Sequence, residues 1–165
     1  MAKKKTERQQ LVLDLDEIVS KIIRLRDGGC VQCGFDCVSE RNPTKRNSVL
    51  NNGHVFSRKS YSLRWDIRPD GNCHCQCWGD NYRHISDQYP YFKWYIGRFG
   101  QERFDKLREE SKQTRKWKNY ELKEELIKLT IIYDNMVSSK KRSIADRTDK
   151  MRLLDSKVKN SYSLS

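Results

Sequence analysis

Apolar residues recur at three- and four-residue steps from Leu11 to Arg26, through Leu11, Leu15, Ile18, Val19, Ile22, Ile23 and Leu25. That period predicts an amphipathic helix, which the "DGG" at Asp27 to Gly29 should stop. The preceding "MAKKKTERQQ" has no such period and is read as a basic, flexible arm over residues 1–10. Between Gly29 and Asp80 the apolar pattern is short and irregular, with turn signals at "RNPTKRN", "NNG" and "RPDGN". Within it "HVF" and "CHCQC" read as the two arms of a small hairpin. Helical spacing returns after Asp80, with breaks expected near Pro90, Gly97 and Gly100. The clearest helical stretch is Tyr120 to Met136, carrying Leu122, Leu126, Leu129, Ile132, Tyr133 and Met136. The tail over 138–165 is polar and basic, with helical spacing again around Ile144 to Val158. The pattern therefore predicts an α+β fold: one domain over 11–137, its core at about 27–90, with helices on either side.

Charge narrows the class of partner. The chain carries 34 Lys+Arg against 22 Asp+Glu, a formal net charge of +12, which points to a polyanion and first of all to nucleic acid. No apolar run approaches the ~20 residues needed to span a bilayer, and no signal-peptide pattern follows the start, so an intracellular, cytoplasmic protein is expected. In a reducing compartment, six cysteines confined to Cys30 through Cys77 read as metal ligands plus spares rather than disulfides. Only 36% of residues are hydrophobic, so the core must be small, and a structural zinc would contribute roughly 10 kcal/mol to folding it.

Cys30 and Cys33 form a C-x-x-C in "GGCVQCG" that can present two thiolates to one zinc, and a second pair must close the tetrahedron. In "NCHCQCWGDN" the order from Asn72 is four residues, Cys77, two residues, Asp80 and then Asn81. That order resembles the second half of an HNH nuclease motif, whose first histidine is matched by His54, 18 residues before Asn72. Asp80 stands where a cysteine is usual, so it competes with Cys75, Cys73 and Cys37 for the fourth zinc position, its spacing from Cys77 copying the first knuckle.

The likeness extends from Ile22 to about Met136 and resembles the phage NinG (Rap) family of recombination nucleases within the HNH group. It is carried by "KIIRLRDGGCVQCG", "GHVFSR", "LRWD", "NCHCQCWGDN", "YIGRFG" and "KNYELKEELIKLTIIYDNM". The resemblance implies a small zinc-stabilised ββα-metal (HNH) core, with Cys30, Cys33, Cys77 and Asp80 holding structural Zn²⁺. It implies a metal-dependent endonuclease with His54 as general base, Asn72 fixing the hairpin and Asn81 offering its amide oxygen to catalytic Mg²⁺ or Mn²⁺. Gly53 stands where many HNH enzymes have a metal-binding aspartate. His74, Asp66 and His84 are the candidates to complete that shell, His74 with the better family match. The substrate implied is branched or recombination-intermediate DNA of Holliday-junction or D-loop type, in phage recombination within the host cytoplasm. Junction resolution suggests a homodimer, for which Leu11 to Arg26 and Tyr120 to Met136 offer surfaces, although packing in the core explains those stretches equally well. No small-molecule cofactor is implied. Arg58, Lys59 and Arg64 are expected to meet DNA phosphates.

Two rival readings come from other classes. A zinc-containing DNA-binding or regulatory protein could keep this scaffold without catalysis, as Gly53 and Asp80 suggest. A redox switch using Cys73, Cys75 and Cys77 lacks any thioredoxin-like context. Trp65, Trp78, Trp94 and the tyrosines from Tyr82 to Tyr95 are expected to fill the core rather than to stack on bases.

Overall fold

The computed structural model describes residues 4–34 and 50–162, with side chains described as far as Lys141 and at Ser143. Cys37 lies outside the described residues.

The first helix, α1 (Glu7–Asp27), begins earlier than the apolar period predicts. Thr6 accepts the Gln9 N–H at 3.2 Å while the Gln9 side chain accepts the Thr6 N–H at 2.9 Å. This capping box satisfies two otherwise orphaned donors and draws residues 7–10 out of the supposed arm into the helix. At the far end Gly28 takes a left-handed φ of 72° and returns its N–H to the Arg24 carbonyl at 3.1 Å. The buried stripe is Leu11, Leu15, Ile18, Val19, Ile22 and Ile23. Its partner is α5 (Asn119–Tyr162), through Leu122 and Leu129. Of the two uses open to these apolar stripes, dimer surface or core, they are spent on core packing against each other within one chain. Leu15 is fully buried there, and Leu15→Ala should cost about 2–5 kcal/mol.

The sheet is a single antiparallel hairpin of β1 (Leu50–His54) and β2 (Cys73–Cys77). β1 ends at His54, so "HVF" straddles the strand end instead of forming an arm. The register pairs Leu50 with Cys77, Asn52 with Cys75 and His54 with Cys73 on one face; Asn51 meets Gln76 and Gly53 meets His74 on the other. Alternation thus sorts β2 by parity. Cys73 and Cys75 join the α1–α5 core, while the His74 ring packs on Trp94, Tyr95 and Phe99. A two-stranded sheet leaves each strand one open edge, and on β2 that edge is bonded at Cys73 and Cys75. Cys73 N–H donates to Asp66 O, Cys75 O accepts Val31 N–H, Cys73 O accepts Arg26, and Cys75 N–H donates to Asp27. The end of α1 and the Cys30 turn thereby stand in for a third strand.

Three short helices follow: α2 (Trp78–Ser86), α3 (Tyr89–Phe99) and α4 (Gln101–Lys112). Pro90 lies in the first turn of α3, where its missing N–H costs nothing. Gly97 stays inside α3, and Gly100, at φ 87°, makes the break to α4. A second core joins Tyr91, Tyr95, Phe104 and Leu107 to Val55 and Leu63 just beyond the strand. Helix α5 runs on as one helix well past Met136 into the polar tail. Among the described residues, no helix is long and apolar enough to cross a membrane.

Candidate functional site

Two centres lie on the hairpin. The first gathers Cys30 and Cys33, from the turn after α1, with Cys77 and Asp80 at the start of α2, and their ligand atoms all lie within 4.8 Å of one another. Cys30 Sγ is 3.1 Å and Cys77 Sγ 3.4 Å from Asp80 Oδ2, and Cys33 Sγ is 3.7 Å from Cys77 Sγ. With Zn–S bonds of ~2.3 Å and Zn–O of ~2.0 Å, a tetrahedral site has S···S edges of about 3.8 Å and S···O edges of about 3.5 Å. The observed edges fit, and this cluster of three cysteines and one aspartate could hold a metal such as zinc. Cys77 also caps α2, its Sγ accepting the Asp80 N–H at 3.5 Å, so the helix start and the metal cluster are one construction. Burial pushes the Asp80 carboxyl up, but hydrogen bonds from Cys33, Cys30 and Cys77 and the Arg83 charge outweigh it and hold the carboxyl low. Cys73 and Cys75 take no part in the cluster. Burial pushes the Cys73 thiol up to about 12, which leaves it a packing residue and removes the thiolate a redox switch needs.

The second centre is His54, half-buried at the end of β1. A carbonyl only accepts, so its 3.0 Å contact with Arg64 O places a hydrogen on Nε2 and the lone pair on Nδ1. Burial lowers the His54 pKa to about 4, the Arg64 carbonyl bond opposes this, and the Arg58 charge adds to it. The ring is therefore neutral at pH 7. Asn72, fully buried, holds the chain beyond it: Oδ1 accepts the Phe56 N–H at 2.7 Å and Nδ2 donates to Phe56 O at 2.9 Å. From α2, His84 Nε2 donates to the His54 carbonyl at 3.1 Å. Its Nδ1 is buried and without a hydrogen-bond partner. Asn81 is half-buried, one helical turn before His84.

A family model described as the bacteriophage lambda NinG protein matches residues 1–136. The chain belongs to that NinG family. No curated protein and no solved structure matched. For this NinG-family chain the hairpin alters several sequence expectations. His74 lies on the sheet face opposite His54, and both its nitrogens are engaged: Nε2 donates to Gly71 O at 2.9 Å and Nδ1 accepts from Arg26 at 3.2 Å. It is a core histidine, not a metal ligand beside Asn81. Asp66 is also occupied, bonding the Arg68 guanidinium at 2.8 Å and the Asn72 N–H at 3.0 Å. Arg64 is not a phosphate clamp. Asp16 takes its guanidinium with both oxygens at 2.9 and 2.6 Å, and the fork lies over the Tyr61 and Trp65 rings. Arg58 and Lys59 remain exposed.

Gly53 explains why no carboxylate stands before His54. A Cβ there would meet Gln76 Oε1 at 1.8 Å. Gln76 is fully buried, its Nε2 donates to Gln32, and its Oε1 has no hydrogen-bond partner. The aromatics divide as well. Trp65, Tyr91 and Tyr95 are core, whereas Trp78, Tyr82 and Tyr89 are exposed, contrary to expectation.

Proposed function

We propose that this chain is a metal-dependent HNH endonuclease that hydrolyses phosphodiester bonds of branched DNA in phage recombination. The tautomer of His54 carries the reading. With Nε2–H committed to the Arg64 carbonyl, the free Nδ1 lone pair is the base, and its low pKa keeps it unprotonated at neutral pH. His84 holds the His54 carbonyl and Asn72 holds the main chain two residues further on, so the ring's position is set before substrate arrives.

The structural metal would be zinc on Cys30, Cys33, Cys77 and Asp80, fixing α2 against the hairpin. With His74 and Asp66 occupied, a catalytic Mg²⁺ or Mn²⁺ would be held by Asn81 together with His84, whose buried Nδ1 lone pair otherwise lacks a partner. When bound, such a cation neutralises charge on the phosphate and the leaving oxygen. Exposed Arg58 and Lys59, just past His54, and the overall charge of +12 supply backbone contacts that are salt-dependent and blind to sequence. Junction resolution would call for two copies acting together, and the host cytoplasm is where such DNA occurs.

The Gln76 side chain filling the space at Gly53 favours a second reading, a zinc-containing DNA-binding protein on the same scaffold without catalysis. Wild type and His54→Ala compared on four-way junction and linear duplex, with and without Mg²⁺, separate the two. Metal-dependent cutting that disappears in the variant while binding persists supports the nuclease. A wild type that binds but cuts neither substrate sinks it.

A further inference from the structure

Helix α2 buries none of its residues. Its outward stripe is Trp78, Tyr82 and Ile85, at 45%, 61% and 78% exposure, continued by Tyr89 at 69% at the start of α3. Trp78 and Tyr82 are already stacked, centroids 5.1 Å apart with planes only 10° from parallel. The other near-parallel stacks, Tyr91 on Trp94 and His74 on Phe99, involve rings of the α3 core, whereas this pair lies in solvent. Three exposed aromatics and an isoleucine lined up on one side are more than the single scattered apolar residues that a protein surface normally carries.

At ~100° per residue, Trp78, Tyr82 and Ile85 fall within an arc of about 60° on α2, Asn81 lies about 60° round from Trp78, and His84 about 60° further. The stripe therefore borders the Asn81 side of the helix, behind which His84 grips the His54 carbonyl. Arg83 flanks it on the other side, exposed, at 3.5 Å from Asp80. Among the described residues the other large exposed hydrophobics are aliphatic, Leu13 on α1 and Ile127 and Ile131 on α5, apart from Tyr120 in the first turn of α5. Aliphatic faces suit protein partners; flat aromatic faces beside cations suit nucleobases, since every base has a π-face. The charge of +12 selects the same partner.

We propose that Trp78 and Tyr82 form a stacking platform for an unpaired nucleobase, exposed where DNA strands separate at a branch, beside the His54 centre. This rests on the nuclease reading, and it names the part of the substrate that the site recognises: unstacked bases next to the cleaved strand. The platform gives a sequence-blind chain a preference for branched over continuous duplex DNA.

The test is binding without Mg²⁺, by fluorescence anisotropy, to a three-way junction with unpaired thymines at the branch and to a matched linear duplex. Trp78→Ala and Tyr82→Ala should each weaken junction binding roughly tenfold and duplex binding twofold or less, with Trp78→Phe restoring most of the loss. Unchanged zinc content and circular dichroism show that the variants are folded. Equal losses on both DNAs, or none, overturn the platform. Sedimentation supplies the other occupant: variants that bind junctions normally but lose self-association show that a second copy covers the stripe, which also overturns it. A wild type that cuts junctions while the variants bind unchanged leaves the nuclease standing and removes the platform. A selective loss of junction binding with a wild type that never cuts does the reverse.

Discussion

The Nε2–H of His54 donates to the main-chain carbonyl of Arg64 at 3.0 Å, and Asp16 grips the side chain of that same arginine at 2.9 and 2.6 Å. A residue of α1 thus anchors the loop whose main-chain carbonyl fixes the tautomer of the candidate base. Asp16 also accepts the Trp65 indole N–H at 2.9 Å, so its removal strands three N–H donors. Asp16→Ala should lower stability by about 2 kcal/mol in urea denaturation, and slow cleavage by lowering kcat more than it raises KM. Burial raises the Asp16 carboxyl, but bonds from Arg64 and Trp65 and the Arg64 charge leave it below the ordinary 3.8. A lowered acid contributes stability above its unfolded value and loses it as pH falls through the folded one. The Asp16→Ala deficit should therefore be full at pH 6 and shrink below 3.8.

His54 gives the rate its own signature. With a pKa of about 4 set chiefly by burial, the ring stays an unprotonated base well below the usual histidine range. Single-turnover cleavage should keep its acid limb near pH 4 to 5 rather than 6.5. A limb at 6.5 would show that the ring is solvated during catalysis and that burial does not set its basicity.

His74 titrates in the same direction without touching the reaction. Burial and then the Arg26 charge lower it to about 4, so between 6.5 and 4 the unfolded chain holds the extra proton. Stability then falls as pH falls through that window, by up to ~1.4 kcal/mol per pH unit for one such group. His74→Gln should flatten that slope by about one proton while leaving the acid limb of cleavage in place. A variant that moves the limb instead would return His74 to the site.

Local features were readable in the sequence, and features that cross the register were not. The α1 stripe, the C-x-x-C and the Cys77 to Asp80 spacing sit within one turn or one helix, where periodicity and ligand spacing apply directly. The capping box at Thr6 and Gln9 is equally local, but the basic composition of residues 1–10 masks it. The face of β2 that His74 occupies depends on pairing with Gly53, across an irregular loop that no period describes. Arg64 looked free because Asp16 lies 48 residues away. Composition alone favours a core role for Trp78 and Tyr82, and only the placement of α2 shows which aromatics face out.

The cluster of Cys30, Cys33, Cys77 and Asp80, as a zinc site, predicts unequal effects from neighbouring residues. Asp80→Ala should lose zinc by elemental analysis and much of the thermal stability, since ligation carries roughly 10 kcal/mol of folding free energy in small sites. Asp80→Cys should keep one zinc per chain, because a thiolate is the commoner fourth ligand. Cys75→Ala, by contrast, should retain zinc and cost only about 1 kcal/mol of packing, as the residue faces the α1 core. Zinc lost with Cys75 but retained in Asp80→Ala would reverse the assignment.

Gly53 and Gln76 form a pair whose coupling can be measured. The Gln76 Oε1 lies 1.8 Å from where a Gly53 Cβ would be, so Gly53→Ala forces the amide aside in a buried strand. The amide cannot move without breaking its bond to Gln32. Overpacking of this kind costs about 1–3 kcal/mol, and Gly53→Asp adds a buried charge to the clash. Both variants should be destabilised, and Gly53→Asp alone should not raise Mg²⁺ affinity. Trimming the opposing residue makes room: Gly53→Ala with Gln76→Ala should recover at least ~1 kcal/mol relative to the sum of the single variants in a double-mutant cycle. Additive effects would mean that the two residues do not compete for that space. The reading of Gly53 as the position filled by Gln76 would then fail.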